Sequence, residues 1–196
     1  MKPEIIAIAS STGGPSALRK ICARLSEKID VPIVIVQHMP KGFISSFAES
    51  LNVISRLRVK EAAEGEKLES GVVYIAPGGV HMIITSERNY KTVRMEESQA
   101  LNGVKPAADR LFMSISDTYK GKNILAVVVT GMGKDGTIGV QYIKSNCNCY
   151  CITESKKTSV IYGMPKSVYE AGLSDMEVDL DKIADEINKI VVGWGS

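Results

Sequence analysis

Three continuous apolar runs, at residues 5–9, 31–36 and 124–129, constrain this chain more than any other feature. Strands buried on both faces read this way, without the alternation expected of a sheet that faces water. Each run is followed by a helix-period pattern. After the first, Ala17, Leu18, Ile21, Cys22 and Leu25 share one face, and Pro15 falls in the first turn, where a missing N–H is not needed. Residues 43–51 follow the second run, and a short helix beyond Gly136 follows the third.

Elsewhere, residues 72–76 read as a strand ending in Pro77-Gly78-Gly79, and 80–85 with 90–94 as a hairpin around Glu87-Arg88-Asn89. Residues 106–116 read as a helix with Leu111, Phe112 and Ile115 inward, and 149–153 as a further strand. Residues 165–171 and 181–192 read as helices, the last amphipathic through Ile183, Ile187 and Ile190, while the charged stretch 56–71 holds a strand and an exposed loop. Strands alternating with helices predict a doubly wound, mostly parallel α/β sheet with a β-hairpin excursion, a Rossmann-like three-layer arrangement.

The 196 residues suit one domain, 1–196, large enough to keep its core without staples. The net charge of +2, from 24 basic and 22 acidic residues, lacks the concentrated basic excess of a nucleic-acid or membrane-surface binder. No apolar run approaches the roughly 20 residues that span a bilayer, and the first strand starts too early for a signal peptide. A cytoplasmic protein is expected. Cys22, Cys147, Cys149 and Cys151 lack the turn spacing of metal sites, so reduced, buried thiols are expected.

In open parallel sheets, sites form at the carboxyl ends of strands. Three such ends carry unusual loops, at 10–14, 37–42 and 131–136, and they hold a serine, a histidine and an aspartate: Ser11, His38 and Asp135. Serine-dependent ester hydrolysis needs those three roles, with backbone N–H groups for the oxyanion. The N–H groups of Thr12 and Gly13, opening the first helix, form a natural anion site.

Other readings stand beside this one. Ser10 is a rival nucleophile by one residue of register, and His81, the other of two histidines, is a rival base. Ser11 also reads as a turn or capping residue, and Asp135 as a helix cap. Gly131, Gly133 and Gly136 match the dinucleotide pattern between a strand and a helix, with Glu154 placed for a ribose hydroxyl. Against it, Asp135 would lie beside the pyrophosphate, at a helix start that favours phosphate. A non-enzymatic binding module using the glycine-rich edge is a third reading. No G-x-S-x-G elbow is present.

Six segments in order carry a resemblance that covers nearly the whole chain, from about residue 5 to 190. They are Ala9-Ser10-Ser11-Thr12-Gly13-Gly14, Gln37-His38-Met39, Tyr74-Ile75-Ala76-Pro77-Gly78, Pro106-Ala107-Ala108-Asp109-Arg110-Leu111-Phe112, Thr130-Gly131-Met132-Gly133-Lys134-Asp135-Gly136 and Tyr162-Gly163-Met164-Pro165. The chain resembles the catalytic domain of CheB-type chemotaxis protein-glutamate methylesterases.

The resemblance implies hydrolysis of glutamate γ-methyl esters on methyl-accepting chemoreceptors, with deamidation of receptor glutamines as a second activity. It implies Ser11 as nucleophile, selecting it over Ser10, His38 as base, Asp135 as the orienting carboxylate, and the N–H groups of Thr12 and Met132 as oxyanion donors. It implies no metal or organic cofactor, no nucleic acid and no membrane insertion. Two departures are visible. Relatives carry an N-terminal phospho-receiver domain, whereas no receiver is expected here, so control would be absent or supplied by a separate receiver or regulatory protein. Where relatives read A-Q-D-E-A-T-S, this chain reads Thr153-Glu154-Ser155-Lys156-Lys157-Thr158-Ser159, which alters the charge of a substrate-facing loop.

Overall fold

The computed structural model describes residues 2–193 except Asn89, so the last position of the expected Glu87-Arg88-Asn89 turn lies outside the described residues. The first apolar run forms β1 (Ile5–Ser10), followed by α1 (Gly14–Cys22) with Pro15 in its first turn. Next come β2 (Ile33–Gln37), α2 (Ile44–Ile54), β3 (Arg58–Glu61) and β4 (Val72–Ile75). The excursion is the hairpin of β5 (His81–Glu87) and β6 (Tyr90–Glu96), leading into α3 (Ala108–Thr118). The chain then alternates β7 (Asn123–Val128), α4 (Thr137–Asn146), β8 (Asn148–Glu154), α5 (Met164–Glu170), β9 (Met176–Val178) and α6 (Leu180–Val192).

The main sheet has the order β3-β4-β2-β1-β7-β8-β9, and each of its pairs is parallel. Alternate residues of each strand feed two cores. Ile6 and Ile8 of β1 pack with α1, α2 and α6, while Ile5, Ala7 and Ala9 face α3, α4, α5 and the hairpin. This two-sided burial is why the strands read as unbroken apolar runs. The Ile84 backbone of the hairpin closes on side-chain hydroxyls of α3: Ile84 N–H donates to Ser114 Oγ at 2.9 Å, and Thr118 Oγ1 donates to Ile84 O at 2.8 Å.

Strand order runs outward in both directions from β1 and β7, so the β1/β7 junction is the switch point where a crevice opens at the carboxyl ends. The short edge strand β9 was not expected from the sequence, and α3 starts two residues later than expected. Cys22 and Cys151 are buried, whereas Cys147 and Cys149 are only half-buried; burial pushes the Cys22 and Cys149 thiols up to about 12. No helix among the described residues is long and apolar enough to cross a membrane.

Candidate active site

Strand register places the first two candidate residues. Ser10 pairs with Gln37 across β1 and β2, so Ser11 and His38 are the next residues beyond two adjacent parallel strands, and neighbouring strands lie roughly 5 Å apart. Four bonds fasten these ends. His38 N–H donates to Ser10 O at 3.1 Å, and Ser11 N–H donates to Thr130 O at 3.0 Å on the β7 side. The Gln37 amide donates from Nε2 to both Ser11 O and His38 O at 3.0 Å. The backbones of the candidate nucleophile and base are thus tied to one side chain.

The same amide sets the two serines apart in geometric terms. Ser10 is fully buried, and its hydroxyl donates to Gln37 Oε1 at 2.8 Å. Ser11 is half-exposed, and among the described residues its hydroxyl makes no hydrogen bond, with His38 or otherwise. Gly14 makes room for Gln37, since a Cβ there would lie 1.9 Å from Oε1. Gly131 does the same for Ser11: an added Cβ would stand 2.8 Å from Ser11 Cβ and 2.4 Å from Met164 Sδ.

Asp135 reaches back from the loop between β7 and α4 to His38. Its Oδ2 lies 2.8 Å from His38 Nε2 and also accepts the Ala108 N–H at 2.6 Å; its Oδ1 accepts the Asp109 N–H at 3.0 Å. Burial of Asp135 pushes its carboxyl up, but the bonds from His38 and from the Asp109 and Ala108 N–H groups outweigh it and hold the carboxyl below the usual range. An ionised carboxylate at this distance makes Nε2 the protonated nitrogen, leaving the Nδ1 lone pair able to accept a proton.

The candidate oxyanion donors are open. Thr12 is exposed, Met132 is 67% exposed, and among the described residues neither N–H has a protein acceptor. A cavity of about 670 Å³ lies elsewhere, lined by Tyr150, Met176 and Ile190 among others, and has none of these groups.

The other readings find structural roles for their residues. His81 is 1% exposed, with Nε2 3.0 Å from Gln99 O and Nδ1 accepting the Ala107 N–H at 3.1 Å, so both ring nitrogens are engaged. Glu154, placed by the dinucleotide pattern on a ribose, is fully buried. Its Oε2 accepts the Thr130 N–H at 2.8 Å and its Oε1 the Thr158 hydroxyl at 3.0 Å. Desolvation raises its pKa. Two contributors were missed: Gln37, noted only as a neighbour of His38, and Asp109, noted only within a motif. Their polar side chains at buried strand-end and first-turn positions were the available signal.

The family described as CheB methylesterase matches residues 6–187. The chain belongs to this family. It is 46% identical over 190 residues to a protein-glutamate methylesterase/protein-glutamine glutaminase of Clostridium acetobutylicum, covering 97% of this chain and 54% of that protein. The protein of the same name from Pyrococcus horikoshii is 41% identical over 186 residues, covering 95% and 50%. The chain thus spans about half the length of the curated relatives it matches. The crystal structure of the Thermotoga maritima CheB methylesterase catalytic domain superposes with a TM-score of 0.92 at 41% identity, covering 97% of this chain and all of that one. Membership in the CheB family matches the parallel sheet and hairpin described above.

Proposed function

We propose that this chain is a protein-glutamate methylesterase with Ser11 as nucleophile, His38 as base and Asp135 as the orienting carboxylate. The observation that carries the reading is the His38–Asp135 bond of 2.8 Å formed beside the exposed turn that holds Ser11. The deamidase activity in the relatives' names follows the same chemistry, with ammonia in place of methanol as the leaving group.

Ser11 Oγ attacks the γ-ester carbonyl carbon while Nδ1 of His38 accepts its proton. The oxyanion takes hydrogen bonds from the Thr12 and Met132 N–H groups. Nδ1–H then protonates the methoxy oxygen, the C–O bond breaks, and methanol leaves a glutamyl ester on Ser11. Water, deprotonated by Nδ1, attacks that ester; collapse returns the proton to Ser11 Oγ and frees the glutamate carboxylate. Asp135 stays ionised and holds the imidazole through Nε2. The scheme uses no metal or organic cofactor.

The substrates in this reading are methylated chemoreceptors, and the exposed Thr12 and Met132 leave the oxyanion donors accessible to a protein substrate. The described residues act as one catalytic unit in the cytoplasm, and control comes from a receiver or other regulatory protein. The reading assigns no role to nucleic acid or to membrane insertion. Treatment with a small fluorophosphonate, followed by peptide mass spectrometry, tests the nucleophile. A stoichiometric adduct on Ser11, absent from Ser11→Ala, is expected; an adduct on Ser10 instead would overturn the assignment.

A further inference from the structure

We propose that Asn102 is a positioning residue for the Asp135–His38 pair, with the Asp109 carboxylate holding its amide in place; this rests on the site assignment proposed above. Asn102 lies in a tight turn closed by reciprocal bonds between Leu101 and Val104, of 3.2 and 3.0 Å. Asn102 and Gly103 both have positive φ, 56° and 76°, a backbone that Asn-Gly favours. The turn explains the backbone but not the side chain: Asn102 is an exposed residue, yet its amide turns inward onto the buried Asp109 and Asp135 carboxylates. Its Nδ2 donates to Asp109 Oδ2 at 2.8 Å and to Asp135 Oδ1 at 3.3 Å, and an amide nitrogen carries the two hydrogens this requires.

The segment that presents Asn102 is fastened on both sides. His81 holds Gln99 O and the Ala107 N–H, Gly79 N–H donates to Lys105 O at 3.1 Å, and Lys105 pairs with Glu97 at 3.0 Å. Desolvation and the nearby Asp135 charge raise the pKa of Asp109, as expected for two carboxylates in one buried site. The amide between them supplies the donor that both need. Without it, Asp135 Oδ1 keeps only the Asp109 N–H, and repulsion from Asp109 works against the carboxylate orientation that His38 requires. The effect passes through Asp135, so it falls on turnover and not on substrate binding.

Three variants of the 196-residue chain test this, read by kcat and KM for methanol release from a methylated chemoreceptor cytoplasmic fragment and by the downfield proton resonance of His38 Nε2–H. Asn102→Gly removes the amide and keeps a residue suited to positive φ, so the turn persists. Asn102→Asp keeps the shape and adds a third carboxylate. Asp135→Asn is the reference, expected to lose about 10⁴-fold in kcat. Asn102→Gly is expected to lower kcat about 10-fold and Asn102→Asp about 100-fold, with KM unchanged and the downfield resonance shifted or lost in both. An unchanged kcat and resonance in Asn102→Gly, alongside an inactive Asp135→Asn, overturns the role of Asn102 and leaves the triad standing. A fully active Asp135→Asn overturns the site assignment and this proposal with it.

Discussion

Asp135 and Asp109 cap each other's helices. Asp135, just ahead of α4, accepts the first N–H groups of α3 from Ala108 and Asp109; Asp109, in the first turn of α3, accepts the Gly136 and Gly139 N–H groups of α4 at 2.9 and 2.7 Å. Each carboxylate sits at the positive end of the other's helix, where anions are favoured. This exchange fixes the spacing of the two helices on one core face and leaves Asp135 Oδ2 facing His38. A candidate catalytic carboxylate is therefore built into the packing of the fold.

Gly131→Ala should separate activity from stability. The new Cβ would sit 2.8 Å from Ser11 Cβ and 2.4 Å from Met164 Sδ, so one of them must move. Overpacking of this kind costs about 1–3 kcal/mol, while an ångström-scale shift of the nucleophile lowers kcat about 100-fold. Denaturant unfolding and methanol release on the same protein measure both.

Ser10→Ala and Gln37→Leu should differ, although both touch one hydrogen bond. Ser10→Ala removes a single donor to Gln37 Oε1 and should cost about 1 kcal/mol with little loss of rate. Gln37→Leu removes one partner each from the Ser10 hydroxyl and the Ser11 and His38 carbonyls at once, leaving Val36 O at 3.3 Å for the Ser10 hydroxyl and the Gly14 N–H at 2.8 Å for Ser11 O. It should cost roughly 2–3 kcal/mol and lower kcat as well. Thermal melts paired with ester hydrolysis distinguish the two.

Acid stability should depend on Glu96. Its hydrogen bonds to the Arg110 guanidinium hold its carboxyl down at about 2, against an ordinary 4.5. A depressed carboxyl contributes stability above the unfolded value, and that contribution is lost as pH falls from 4.5 towards 2. The pair is partly exposed, so screening limits the contribution to about 1 kcal/mol. Glu96→Gln should lower stability at neutral pH, flatten its pH dependence over that window and blunt its salt sensitivity, as read by unfolding midpoints.

The layered sheet was legible because β1, β2 and β7 are buried on both faces and advertise it as continuous Val, Ile, Leu and Ala. The three strand ends were legible for the same reason, since each run stops abruptly at polar and glycine residues. Edge strand β9 was not, because three partly exposed residues carry no readable period. Asn102 was hidden differently. Its Asn-Gly step signals only a turn, and its partner Asp135 lies 33 residues away, joined by tertiary packing alone. Asp109 looked like an ordinary first-turn residue of α3; nothing local tells that its carboxylate serves another helix. The charge of the 153–159 loop was legible, but its buried Glu154 is a structural brace for Thr130 and Thr158 and not a surface charge.

Methanol release from a methylated chemoreceptor fragment, compared between the unmodified chain, Ser11→Ala and Ser10→Ala at matched fold by circular dichroism, tests the central claim most directly. The account predicts that Ser11→Ala lowers kcat by about 10⁴- to 10⁶-fold and that Ser10→Ala stays close to the unmodified rate. A Ser11→Ala protein that still releases methanol at the unmodified rate would contradict it.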